Sequence, residues 1–314
     1  MEAKKPYALH TVCAAALFTL GSAVITVPKK GADNLTFLGF IVAAIAAVAL
    51  SFLAAPVAAR LFAKTAFSGG KIKKTAVGTL WIATALLCVG VSAHSFGVLC
   101  DFVGGVILPD GSRLLVAVIL FAAAAMPCVG HKSVVLKFAL FSAIITAVAV
   151  LLFIAAALPE LRLENIILLR VPEIGSVLRQ SVPYLVDVFL PAYIIYIYVG
   201  VHFGRENGRI ALLGVAAGGV VLGIILLNSL LLFGAPLAAR LEYPYASAIS
   251  TVTLGELFTR MDGFSYFIYF AACIVRLAVC VSVVKTLLCR LGEKRERAVG
   301  CFALALSAAL GMIL

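Results

Sequence analysis

Nine apolar runs divide this sequence, most of them twenty residues or longer, and no other feature restricts its fold as tightly. They cover roughly residues 8–27, 34–59, 75–100, 113–128, 133–157, 181–202, 210–233, 263–289 and 298–314. A helix needs about 20 apolar residues to cross the hydrocarbon core of a bilayer. Lipid offers no partner to backbone N–H and C=O groups, so such runs must be helical or belong to a closed barrel. The ten-residue alternation of a membrane barrel is absent, which leaves helices. Composition agrees: the chain is 64% hydrophobic and 12% charged, against about 25% charged in ordinary soluble domains. The expectation is a single all-α integral membrane domain over residues 1–314.

The net charge of +11 is not read as a nucleic-acid footprint, because the basic residues gather in short segments between apolar runs. Alternating the sides of the membrane puts Lys4, Lys5, the 60–74 cluster, Lys132, Lys137, Arg205, Arg209 and the 285–297 cluster together. That side carries about twice as many Lys and Arg as the other, and the positive-inside rule makes it cytoplasmic. The N-terminus is then cytoplasmic. The first run follows Lys4 and Lys5 as a signal peptide would, but no small-residue cleavage pattern ends it, so it is read as a retained span. The eight cysteines lie mostly within apolar runs without a CxxC pair and are read as small buried hydrophobes, not metal ligands.

The first run is not uniformly apolar. "LFTLGSAVITVPKKGADN" (17–34) places Gly21, Ser22 and Thr26 where a span should carry only apolar side chains. A helix broken at Gly21–Ser22 offers free N–H groups to a carboxylate and freed carbonyls to an ammonium group or cation. An amino acid carries both. Inverted-repeat transporters place such breaks in corresponding spans of two halves, near the bilayer midplane. With five spans per half, the partner of span one is span six, which holds Pro183, Asp187 and Pro191. Gly and Ser also serve close helix packing in membranes, so the pattern alone has two readings.

Asp187 and Arg276 are charges inside apolar runs. A charge at the bilayer centre costs about 2.5–3.5 kcal/mol on insertion scales, so such a residue faces the bundle interior and has a partner. At about 100° per residue, Tyr184, Asp187, Pro191, Ile194 and Tyr198 share an arc of about 80°, as do Tyr266, Tyr269, Cys273, Arg276 and Cys280. Both stripes fit one cavity. Asp187, a few residues into its run, also fits the headgroup zone, whereas Arg276 is too central to snorkel out. His94, beside Ser92 and Ser95, reads better as a hydrogen-bonded structural histidine than as a proton relay. Tyr7, Tyr243 and Tyr245 read as interface anchors. Residues 158–180 and 243–260 are read as outer-face segments, placed to cover a cavity.

With spans and breaks in place, the sequence resembles the spore germination permease family, the B subunits of germinant receptors (GerAB-type), within the amino acid/polyamine/organocation superfamily. The resemblance rests on "LFTLGSAVITVPKKGADN", on "LPELRLENIILL" before the sixth span, and on "YPYASAISTVTLGELFTRMDGFSYFIYF" into the eighth. In the last stretch Tyr243–Pro244, the Gly255 segment and Arg260-x-Asp262 look like the family's Tyr-Pro, outer helix and Arg-x-Glu, followed by a basic residue at Arg276. The resemblance implies a LeuT/APC-like inverted-repeat helical bundle with a central site on spans one, three, six and eight. The residues it points to are Gly21, Ser22, Thr26, Ser92, Tyr184, Asp187, Tyr269 and Arg276. It implies a small germinant, commonly an L-amino acid, and association with an A subunit and a lipoprotein C subunit in the inner membrane of a bacterial spore. The family has ten spans and nine are read here, so the expectation is that the tenth is absent or the chain truncated.

Three functions compete at this stage: a ligand-sensing permease-like subunit, a proton- or cation-coupled amino acid transporter, and a scaffold that binds nothing. An enzyme is not expected, because no nucleophile elbow, phosphate-binding glycine loop or metal-ligand spacing is present. No cofactor or metal is expected.

Overall fold

The computed structural model describes residues 8–30, 34–61, 71–129, 132–166, 173–203, 208–238, 240–252, 262–291 and 296–313. Its α-helices are α1 (Ala8–Leu20), α2 (Ala23–Lys30), α3 (Asn34–Leu61), α4 (Lys71–Phe102), α5 (Arg113–Val129) and α6 (Lys132–Ala157). They continue with α7 (Ile174–Tyr184), α8 (Leu190–Phe203), α9 (Gly208–Ala238), α10 (Pro244–Thr251), α11 (Asp262–Leu291) and α12 (Glu296–Ile313). Among the described residues there is no strand. Among the described residues five helical stretches are long and apolar enough to cross a membrane: those of α4, α6, α7 with α8, α9 and α11. Shorter apolar helices are α1, the Phe37–Leu50 part of α3, α5 and α12.

The bundle is arranged around α11. From Ile268 to Val284 nearly every side chain of this helix except Phe270 is buried, including Arg276. It packs against α1, α4, α5, α6, α8 and α12. An apolar helix surrounded by protein on all sides marks the interior of a large bundle. The outer helices instead leave apolar side chains exposed on one side, such as Ile45 of α3, Leu86 of α4, Leu114 of α5 and Leu151 of α6. In a membrane that side meets lipid.

Small residues set the closest helix approaches. On α9, a Cβ added at Gly218 would lie 2.6 Å from the Ala16 carbonyl oxygen of α1, so only hydrogen fits there. Gly97 of α4 and Gly311 of α12 meet in the same way, backbone to backbone. Such contacts replace the hydrophobic driving force that helices lack inside lipid. They hold α1 against α9 and α12 against α4.

Two helices depart from regular winding where it matters. Between α1 and α2 the chain turns at Gly21–Ser22, with Gly21 at φ 31°. Between α7 and α8 the chain stays wound but opens into a π-helical turn over Leu185–Phe189. The N–H of Leu190 reaches back to the carbonyl of Leu185, the five-residue step of that geometry. Sequence analysis starts the sixth apolar run at 181, yet the helix begins at Ile174. The reason is that α7 is amphipathic, exposing Ile174 and Leu178 while burying Ser181 and Tyr184. α4 also ends in a π-helical turn, Val103–Ile107, and Gly234 at φ 69° within α9 is braced by Asn165, whose side-chain amide donates to the Leu231 carbonyl at 2.7 Å. Of the outer segment at 243–260, Pro244–Thr251 is helical, whereas Gly255 and Arg260 lie outside the described residues.

Candidate functional site

Gly21 and Pro191 explain how the two irregular segments come to share one side chain. At Gly21 the positive φ favours glycine, since a Cβ in that region costs about 1–2 kcal/mol. The missing Cβ also makes room, because one built there would overlap Arg276 Cδ. Pro191 acts through an atom it lacks. In regular α-helical register the Asp187 carbonyl would accept from the N–H of residue 191, and proline has none. The Asp187 carbonyl therefore lacks its α-helical donor.

Arg276 occupies the gap so formed. Its side chain is 1% exposed. Nη1 donates to Ser22 Oγ at 3.2 Å, and Nη2 makes a long contact of 3.4 Å to the Asp187 carbonyl oxygen. The guanidinium carbon lies 5.5 Å from the centre of the Phe18 ring, a cation–π distance. Ser22, the Asp187 backbone and Phe18 thus bring α1, the π-helical turn and α11 to one point. The charge also lies at the C-terminal end of α1, the negative pole of that half-helix. Among the described residues, Arg276 Nε is buried without a hydrogen-bond partner. An unpaired buried donor carries a desolvation penalty of about 1–3 kcal/mol or more when charged, which an acceptor would remove.

One helical turn beyond the break, Thr26 donates its hydroxyl to the Ser22 carbonyl at 3.2 Å. Thr26 also lines a cavity of about 500 Å³ at the end of the bundle that carries residues 101–113 and 240–245. Val98, Asp101, Gly105, Arg113, Glu242 and Tyr243 are among its other walls. Asp101 and Arg113 pair at 2.8 Å while both remain well exposed, an arrangement worth at most about 1 kcal/mol and so easily exchanged for a ligand's charges. Burial, helped by the Glu242 and Asp101 carboxylates, pushes the Tyr243 phenol up to about 12. Tyr243 is a neutral hydrogen-bonding group at any physiological pH.

An aromatic layer joins this cavity at Tyr243. Phe102, fully buried, meets Tyr243, Tyr266 and Tyr269 edge to face, with ring centres 5.1, 5.6 and 4.6 Å away. Tyr245 continues the layer from Tyr269 at 6.1 Å. Tyr269 and Arg276 are two turns apart on one face of α11, about 10 Å along the axis, with buried Cys273 between them. The aromatic layer and the guanidinium are thus carried by one buried face of α11.

The residues singled out by sequence are distributed as follows. Gly21, Ser22, Arg276 and the Asp187 backbone come together, while the Asp187 side chain is half-buried. Thr26 lies on the cavity side and Tyr269 in the aromatic layer. Tyr184 is buried against Phe40 of α3, with its hydroxyl unpartnered among the described residues. Ser92 bonds Ser307 of α12 at 2.6 Å, which places it in the α4–α12 contact. Sequence reasoning did not single out Phe18, Asp101, Arg113 or Glu242, and it treated Tyr243 as an interface anchor. Pro191 was a readable signal for the carbonyl without its α-helical donor, since its effect four residues back follows from proline chemistry alone. The cavity walls come from three distant segments and had no local signal.

Among solved structures, the chain is similar to a Na+-coupled sialic acid symporter in a substrate-bound outward-open state, at 10% identity and a TM-score of 0.65. The match covers 99% of this chain and 72% of that one. The chain has a LeuT-like fold. Folds of this kind carry discontinuous helices, and the irregular segments of this chain are Gly21–Ser22 and the 185–189 turn. At 10% identity the likeness is one of fold. No protein-family model and no curated protein matches the chain.

Proposed function

We propose that this chain is a permease-like membrane protein that binds a small carboxylate-bearing ligand, an L-amino acid in the first instance, between the interrupted first and sixth spans. The observation that carries this reading is the convergence on Arg276. A fully buried guanidinium holds both interruptions together and retains one N–H without a partner among the described residues. A ligand carboxylate is the group such a donor recognises. Its ammonium group would be received by carbonyl oxygens at the break. By the positive-inside expectation the 500 Å³ cavity opens outward, so it serves as the entry vestibule. The aromatic layer around Phe102 is then the gate between vestibule and site.

Within this reading the resemblance to germinant-receptor B subunits supplies the finer role. Ligand binding shifts the equilibrium of the gate and the broken helix, and the change passes to A and C partner subunits to start germination. Arg276 supports sensing over pumping, because a guanidinium stays charged throughout the accessible pH range and cannot itself cycle a proton. The alternative is an amino acid transporter coupled to protons or cations, as the solved Na+-coupled symporter is for sialic acid. A non-binding scaffold is the third reading.

The test is a thermal-shift screen of the purified chain in detergent against the standard L-amino acids. A ligand that binds the native state at a hundredfold excess over its dissociation constant adds about 2.7 kcal/mol of apparent stability. Stabilisation by one or a few amino acids supports the site; none by any of them favours the scaffold. Uptake into vesicles that depends on a pH or ion gradient would favour the coupled transporter.

A further inference from the structure

The oxygens that Arg276 holds are of a kind that bind alkali cations. A hydroxyl oxygen, Ser22 Oγ, and a carbonyl oxygen, that of Asp187, converge at the negative end of α1. Released carbonyls and half-helix C-termini are where membrane bundles of this type coordinate a cation. Here a cation is already present and covalently attached. Nη1 and Nη2 of Arg276 are directed at these two oxygens, and the Phe18 ring lies 5.5 Å from the guanidinium carbon. The absent Cβ of Gly21 is what lets the arginine stem pass. A free ion does not fit in the same place.

We infer that Arg276 is a tethered cation: it permanently fills the position where a free alkali ion would otherwise bridge the interrupted first and sixth spans, and makes their junction independent of sodium and potassium. The inference rests on the ligand-binding reading only for its functional consequence, which is that ligand binding needs no ion at this position. The structural part stands without it. Because the charge is carried by a guanidinium, the junction does not open through proton loss. Its geometry is set by the length of one side chain, and removing that side chain leaves a vacancy lined by oxygen.

The experiment compares the full-length chain with Arg276→Ala and Arg276→Lys in detergent, in sodium, potassium or choline chloride at equal ionic strength. The native chain and R276K are expected to melt at the same temperature in all three salts. R276A is expected to melt lower in choline and to regain several degrees, saturably, in sodium or potassium. Low-millimolar guanidinium, too dilute to denature, is expected to restore R276A in the same way and to leave the native chain unchanged. Saturable stabilisation of the native chain by sodium or potassium would overturn the inference. So would a folded R276A that responds to neither alkali cations nor guanidinium. If R276A yields no folded protein, radioactive sodium binding to the native chain decides: none upholds the inference and stoichiometric binding overturns it. None of these readings needs an amino acid, so a failed ligand screen and a failed ion test are separate results.

Discussion

The first and sixth spans are both interrupted, but by different chemistry. At Gly21–Ser22 the chain leaves helical geometry altogether, through a glycine at positive φ, and α2 starts again at Ala23. At Leu185–Phe189 it never stops winding; it widens by one residue per turn around a carbonyl that Pro191 cannot satisfy. The first interruption yields a hydroxyl, a half-helix end and space. The second yields the single carbonyl oxygen that Arg276 reaches. A broken helix and a continuous, widened one can thus converge on one point when a third helix supplies the group that spans them. The two also differ in backbone continuity: α2 follows α1 after a turn, whereas α7 and α8 are joined through the π-helical turn.

Four substitutions act on the two interruptions separately or together, with effects of decreasing size. Arg276→Ala removes the group common to both interruptions, leaves buried oxygens unpaired and opens a void; it is expected to cost about 3–5 kcal/mol in denaturant unfolding in detergent. Gly21→Ala affects only the first. It adds left-handed strain and a clash with the Arg276 stem, and is expected to cost about 2–3 kcal/mol. Ser22→Ala removes one long hydrogen bond to a charged donor, a loss of about 1 kcal/mol. Pro191→Ala affects only the second interruption. It returns an N–H to the Asp187 carbonyl, so stability should change by less than about 1 kcal/mol while ligand affinity falls, because the carbonyl closes back into the helix. Equal stability losses for Gly21→Ala and Pro191→Ala would contradict the distinction.

Much of this arrangement was legible in the sequence, and the part that was not has a common cause. Gly21, Ser22 and Arg276 were visible because each contradicts its apolar surroundings, and in lipid such a residue needs a reason. Asp187 was visible for its charge, yet its backbone oxygen is the atom that Arg276 Nη2 approaches. Side-chain chemistry drew attention to the right residue for a different atom. Ser92 and Tyr184 show the limit of periodicity. Helical spacing tells which side chains share a face, but not which neighbour that face meets, and these two meet Ser307 and Phe40. The cavity is assembled from segments more than two hundred residues apart, so only the folded chain reveals it.

Carboxylate recognition by Arg276 is tested by pairing a stabilising L-amino acid with its methyl ester, on the native chain and on Arg276→Gln. The ester keeps the ammonium group and side chain but removes the carboxylate charge. The account predicts that the native chain is stabilised by the acid and not by the ester, and that Arg276→Gln loses this preference. Equal stabilisation by acid and ester, or a preference for the acid that survives in Arg276→Gln, would show that Arg276 does not receive the ligand and would contradict the account.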